Sequence, residues 1–202
     1  MSRARARKIV VGITGASGAP YARRLLEILA PFATSGDVEL GIVLSSTAPQ
    51  VWALEVGGRI DDLGIKVWSG RDYRAPFASG SAGWDAMVII PCSMGTLGRV
   101  AHGMSESLLT RAADVMIKER RQLILVPRET PLSVIHLENM LTLAKAGALV
   151  LPAMPSFYGK RETVNDMVDT VVARVLDHLG FDSSLIHRWG SNDSSSKDLV
   201  DP

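Results

Sequence analysis

The chain has 202 residues, 47% of them from the set AVILMFWYC, and a formal net charge of +1 at pH 7. That length suits one domain with a core large enough to need no disulfide or metal staple. The near-neutral charge excludes a bulk pull toward nucleic acid or an anionic membrane surface.

The one cysteine, Cys92, has no partner for an intramolecular disulfide and fits a reducing, cytoplasmic compartment. No stretch approaches the ~20 apolar residues of a membrane-spanning helix. The basic start, residues 1–8, leads into a short strand-like run and not into the apolar core of a signal peptide.

Residues 8–14 are apolar and β-branched, the pattern of a strand buried on both faces. A loop with glycines at 12, 15 and 18 ends it. Helical spacing follows over 19–29, with Tyr21, Leu25, Leu26 and Leu29 on one side. Residues 38–44 form a second strand, and Ser45, Ser46 and Thr47 are placed to cap a helix over 48–56. Residues 65–68 are a short strand candidate, and 75–83 is a loop of small residues. A third strong strand, 86–90, ends at Pro91-Cys92. Ser93 caps a helix toward Ala101, and Ser105 another toward Arg120. A strand at 122–126, a helix at 133–145 and a strand at 148–151 follow. Thr163 opens a last amphipathic helix with Val164, Met167, Val168, Val171, Val175 and Leu179 on its apolar side, stopped by Gly180.

Alternating buried strands and helices predict an α/β fold: a doubly wound, mostly parallel sheet with helices on both faces. One domain is expected over residues 1–190. The Ser/Asp-rich stretch 191–202 is expected to be disordered. Trp189 before it packs either on its own domain or on a neighbouring subunit.

In such sheets ligands sit beyond the carboxyl ends of the strands. The first loop reads G-x-x-G-x-x-G, which is neither the dinucleotide fingerprint nor a Walker loop. Its glycines allow close backbone approach, and the helix after it offers N–H groups to an anion. A phosphate or flavin contact is one reading and a purely structural turn is the other. Ser17 either donates to a ligand or caps the helix.

Ser45, the group Ser93-Met94-Gly95-Thr96, and Arg128-Glu129 stand at three further strand exits. That shared position points to one crevice. Cys92 beside them reads as a small buried residue ahead of a nucleophile. Arg111 and Lys118 lie two turns apart on one helix face with Asp114 between them. They form either a solvated salt-bridge ladder or a positive wall for a second phosphate. Arg174 and Tyr158 carry bland readings as well, the first on a polar helix face and the second in a loop.

Several motifs together resemble one family. They are Gly15-Ala16-Ser17-Gly18, Ala78-Ser79-Gly80-Ser81 and Pro91-Cys92-Ser93-Met94-Gly95-Thr96-Leu97. Arg111-Ala112-Ala113-Asp114-Val115 and Lys118-Glu119-Arg120 follow. Then come Val126-Pro127-Arg128-Glu129-Thr130-Pro131, His136-Leu137-Glu138-Asn139-Met140 and Phe157-Tyr158. In this combination the chain resembles the flavin prenyltransferases of the UbiX/Pad1 type, over residues 8–180. Residues 57–72 match poorly.

The resemblance implies a Rossmann-like, three-layer flavoprotein. It implies reduced FMN and dimethylallyl phosphate as substrates, with prenylated FMN, bonded at N5 and C6, as product. It further implies a UbiD-type decarboxylase as recipient, no metal, and a dodecamer with sites shared between subunits. By motif position, Gly15, Ala16, Ser17, Ser45, Ser93, Met94, Gly95, Thr96 and Arg128 would hold FMN. Arg111, Lys118, Glu129, Tyr158 and Arg174 would surround the donor phosphate. Glu129, Ser17, Glu55 and Lys118 would be catalytic, with Ser17 pairing to Glu55. Whether the donor is the phosphate or the pyrophosphate stays open.

Two rival readings stand beside this one. Related flavin-dependent cysteine-type decarboxylases use a histidine from the N-terminal half. The histidines here are 102, 136, 178 and 187, which argues against that chemistry. A flavin carrier without chemistry survives if Arg111, Lys118 and Glu129 are only solvent-facing pairs.

Overall fold

The computed structural model describes residues 5–158 and 161–186. His187, Trp189 and the tail from residue 191 lie outside the described residues. The chain divides into two compact units, residues 1–153 and 154–202.

The larger unit is built on one six-stranded sheet. Its strands are β1 (Arg7–Ile13), β2 (Val38–Leu44), β3 (Val67–Trp68), β4 (Ala86–Cys92), β5 (Gln122–Pro127) and β6 (Leu149–Val150). The order is β3-β2-β1-β4-β5-β6, and every pairing is parallel. Central strands of such a sheet are covered on both sides, which is why β4 is buried at every position.

Among the described residues of this unit five α-helices accompany the sheet: α1 (Ala19–Ser35), α2 (Ala48–Glu55), α3 (Met94–Ala101), α4 (Leu108–Lys118) and α5 (Val134–Lys145). Helix α1 packs on β1, β2 and β4 and fully buries Leu25, Leu26 and Leu29. Each such leucine contributes about 1.5–3 kcal/mol. Alternate strand residues join a second core, where Val10, Met87, Ile89, Leu123 and Leu125 meet Leu97 of α3 and Leu108, Ala112 and Met116 of α4. This is the doubly wound α/β architecture expected from the alternation of elements, with a sheet that is parallel throughout.

The chain runs outward from β1 through β2 to β3, then returns to place β4 on the other side of β1. The boundary between β1 and β4 is therefore the topological switch point, where the loops leaving the two strands diverge and open a crevice.

Local differences from the sequence expectations have physical causes. Ser107, not Ser105, caps α4, because Ser107 and Thr110 form a reciprocal capping box. No side chain caps α2. Its start is held by the backbone bond from Ala48 N to Ser45 O at 3.2 Å, and Pro49 removes one donor that would need a cap. Residues 75–83 fold into two 3-10 turns, Pro76–Ala78 and Gly80–Ala82, fixed by Phe77 buried edge-on against Trp68 and Trp84.

The smaller unit carries α6 (Val164–His178), opened by a capping box between Thr163 and Asp166. Ser156 N donates to Thr170 Oγ1 at 3.2 Å and ties the preceding segment to this helix. Val168, Val171, Val175 and Leu179 are buried as expected. Val164 is 76% exposed, because at the first helical position it precedes the buried stripe.

Candidate active site

The loop after β1 is pinned at its first residue. Thr14 is 1% exposed; its hydroxyl donates to Pro91 O at 2.7 Å and accepts from Ser93 N at 2.8 Å. One side chain thus joins the exits of β1 and β4 across the switch point. The sequence reading missed it, because a threonine closing a β-branched run looks like another strand residue. The available signal was a hydroxyl at the strand exit, where an apolar side chain would leave backbone groups without partners.

The loop after β2 lies directly against the same segment. Ser45 N donates to Ile13 O at 2.9 Å. A Cβ on Gly15 would stand 2.0 Å from Thr47 Oγ1, so glycine is what allows the two loops to touch. Gly18, at φ 124, then turns the chain into α1.

The first amides of α1 are already occupied. Gly18 N and Ala19 N each donate to Glu55 Oε2 at 2.8 Å, and the Ser17 hydroxyl bonds to the same carboxylate. This corrects the expectation that the helix end stands open for a phosphate: the anion at that terminus is Glu55 of the protein itself. Burial works to raise the Glu55 carboxyl. The bonds from Ser17, Gly18 and Ala19, with the nearby charge of Arg128, outweigh it and hold Glu55 below the ordinary carboxylate value.

The N-terminus of α3 is different. Ser93 caps it by accepting from Thr96 N at 3.3 Å, and its hydroxyl donates to Thr96 Oγ1 at 3.1 Å. Met94 and Thr96 turn their side chains inward, while Gly95 is exposed. A Cβ on Gly95 would meet nothing closer than the Arg99 guanidinium at 3.8 Å. Nothing in the fold itself requires glycine there, and its absence of side chain leaves open space above the helix start.

Arg128 reaches back from the end of β5. Its Nε donates to Ser17 O at 2.9 Å, and its backbone N to Cys92 O at 3.3 Å. Gly15, Ala16, Ser17, Ser45, Glu55, Ser93–Thr96 (residues 93–96) and Arg128 therefore form one cluster at the strand exits. Glu129 follows at its edge, exposed, with Thr130 N donating to Glu129 Oε1 at 3.1 Å. Cys92 is fully buried, and burial pushes its thiol up to about 12, which leaves no thiolate at neutral pH.

Arg111 and Lys118 are bonded to neighbours outside this cluster. Arg111 Nε donates to Ala78 O at 3.1 Å, and its Nη1 pairs with Asp114 at 3.2 Å. Lys118 pairs with Glu119 at 2.5 Å and not with Asp114, so the expected ladder is broken at its second rung. Glu119 is the neighbouring residue, standing at the C-cap of the helix that ends at Lys118. Lys118 lies just before β5 begins and Glu129 just after it ends. At about 3.3 Å of rise per residue, roughly 17 Å of strand separates the two ends. Within one protomer Lys118 and Glu129 do not share a pocket.

Tyr158 and Arg174 belong to the smaller unit. Tyr158 is exposed, and Arg174 pairs with Asp177 at 2.9 Å along α6. A cavity of about 320 Å³ lies between α2 and the sheet, lined by Ile13, Leu44, Trp52, Arg59 and Val67; none of the expected site residues faces it. Among the described residues no group of His, Cys, Asp or Glu side chains is arranged to hold a metal ion, and no helix is long and apolar enough to cross a membrane.

Residues 2–176 match the family model described as Flavoprotein. The flavin prenyltransferase UbiX of Methanocaldococcus jannaschii is 46% identical over 187 residues, covering 91% of this chain and 99% of the relative. The chain belongs to the UbiX flavin prenyltransferase family. Solved structures agree with this. AnUbiX (PadA1), in complex with FMN and dimethylallyl pyrophosphate, aligns with a TM-score of 0.87 at 40% identity, covering 94% of this chain and 100% of the other. A dodecameric FMN-dependent UbiX-like decarboxylase from Escherichia coli O157:H7 aligns with a TM-score of 0.86 at 44% identity, covering 90% and 98%.

Proposed function

We propose that this protein is a metal-independent flavin prenyltransferase. It joins a dimethylallyl group from dimethylallyl phosphate to N5 and C6 of reduced FMN. The observation that carries the reading is the cluster at the strand exits, found in a chain whose family is named for this reaction. The residues fit FMN: Gly95 leaves open space over a capped helix start, and the loops of β1, β2, β4 and β5 meet there. When bound, reduced FMN supplies the nucleophilic N5 and C6 atoms.

The protein's own groups do the rest. Gly15, Ala16, Ser17, Ser45, Ser93, Met94, Gly95, Thr96 and Arg128 hold the flavin. Glu55, kept ionised by its three donors, would accept the Ser17 hydroxyl proton as that hydroxyl takes the one lost at N5, and the released phosphate would take the proton lost at C6. Arg111, Lys118, Tyr158 and Arg174 neutralise the charge of the departing phosphate, and Glu129 protonates it. A site poor in water protects the allylic fragment from hydrolysis.

The separation of Lys118 from Glu129 supports a site assembled from different subunits, as in a homo-oligomer, here a dodecamer. The single family match across residues 2–176 supports one flavin-binding domain over residues 1–190. The product goes to a UbiD-type decarboxylase in the cytoplasm, and the donor is the phosphate or its pyrophosphate. Glu129→Gln tests the acid. FMN binding should stay within twofold of wild type while prenyl transfer slows by roughly 10²-fold or more. Loss of flavin binding would make Glu129 a structural residue.

A further inference from the structure

We propose that the cavity between α2 and the sheet is a second binding site, for a small neutral molecule with an apolar body and one hydrogen-bond acceptor. The cavity measures about 320 Å³, within the range of roughly 300–1,000 Å³ that small-molecule pockets occupy. Ile13, Leu44, Trp52, Ile60 and Val67 give it apolar walls. Trp52 is 3% exposed, and its Nε1 is buried with no hydrogen-bond partner among the described residues. A buried N–H left unpaired is costly and rare, so a ligand gains by offering this donor an acceptor. The two charged groups on the lining cancel, because Arg59 Nη2 pairs with Asp61 Oδ2 at 3.0 Å. Arg59 N also donates to Asp62 Oδ2 at 2.8 Å, which brings a further carboxylate to this segment. That balance disfavours an anion and separates this site from one for phosphate-bearing substrates.

Occupancy of the cavity bears on the strand-exit cluster through α2, and this step rests on the flavin-site reading above. Helix α2 is lightly held: of its eight residues only Ala48 and Trp52 are buried, and Leu54 is 85% exposed. Because Nε1 is closed to solvent, an acceptor reaches it only when Trp52 and its helix give way. Glu55 closes the same helix, one turn from Trp52, and its carboxylate holds the amides of Gly18 and Ala19. Displacement of α2 draws Glu55 away from them and loosens the loop after β1. A molecule bound under α2 therefore weakens FMN binding.

The test uses two probes on the full chain carrying isotope-labelled tryptophan. Acetophenone is an aromatic ketone of the required chemistry, and ethylbenzene has a like body without the acceptor. The Trp52 indole signal, assigned by its absence from Trp52→Phe, should move downfield saturably with acetophenone. That of Trp84, whose Nε1 is also buried without a partner but which does not line this cavity, should stay. In ligand-observed NMR, Trp52→Phe should bind acetophenone at least threefold more weakly and ethylbenzene within twofold of wild type. No saturable shift, or equal losses for both probes, would overturn the site. Should Trp52→Phe fail to fold, Val67→Phe on the two-residue strand β3 fills the cavity from the sheet side and should abolish the shift. An undiminished shift would again overturn the site. Saturating acetophenone should weaken FMN binding at least twofold, and unchanged affinity would overturn the coupling. Protein that shows the indole shift but binds no FMN would overturn the flavin reading and leave the cavity site standing.

Discussion

Thr14 uses one hydroxyl for two bonds, and the geometry of the switch point depends on both. Thr14→Val keeps the shape and removes the partner of Ser93 N. Leaving that amide unsatisfied costs about 1–3 kcal/mol. A urea denaturation series should show that loss, FMN should bind more weakly, and Thr14→Ser should recover most of both. Glu55 makes a prediction in pH. Its folded-state pKa is depressed, so its contribution to stability is present above the unfolded glutamate value of about 4.3 and fades as pH falls through the folded value. The stability gap between wild type and Glu55→Gln should therefore be constant near neutrality and close below about pH 4. A gap that persists unchanged in acid would mean that the carboxylate charge is not what the three donors hold. Neither residue stood out from spacing alone. Thr14 was hidden at the end of an apolar run, and Glu55 was carried by the family resemblance, because its partners lie 36 to 38 positions away in the chain.

At the level of elements, the strands were legible because a parallel sheet buries both faces and leaves unbroken β-branched runs such as Val10-Val11 and Val88-Ile89-Ile90. The capping residue of α4 was not. Ser105 and Ser107 are equally good caps on paper, and only the reply from Thr110 decides between them. The exposure of Val134, Leu137 and Leu141 on α5, while Leu143 is buried, was also illegible, since periodicity does not say which apolar residues of a helix face the core.

The loops predict a contrast between two glycines. Gly15→Ala drives a Cβ into Thr47 and should lower stability by about 1–3 kcal/mol, with loss of FMN binding. Gly95→Ala meets only the Arg99 guanidinium at 3.8 Å, an ordinary contact, and replaces a helical glycine. It should raise the stability of the ligand-free protein by up to about 1 kcal/mol while weakening FMN. Unaltered FMN affinity in Gly95→Ala would remove the α3 start from the flavin site.

Across the whole molecule, the distance between the ends of β5 separates the two halves of the proposed chemistry. Each inactive variant, Lys118→Ala or Glu129→Gln, would then damage a different subunit's share of one site. Co-expressed in equal amounts, half of the subunits keep Lys118 and half keep Glu129. If the two are distributed at random, about a quarter of the sites regain both. Activity no higher than that of either variant alone would place both residues in one protomer's site, against the geometry of β5.

The central claim is prenyl transfer to flavin. It is tested most directly by mass spectrometry of the flavin after anaerobic incubation of the protein with reduced FMN and dimethylallyl phosphate, with the pyrophosphate in a parallel sample. A flavin heavier by one prenyl unit is expected from at least one donor. Unchanged FMN with both donors, from protein that binds the flavin, would contradict it and leave a carrier.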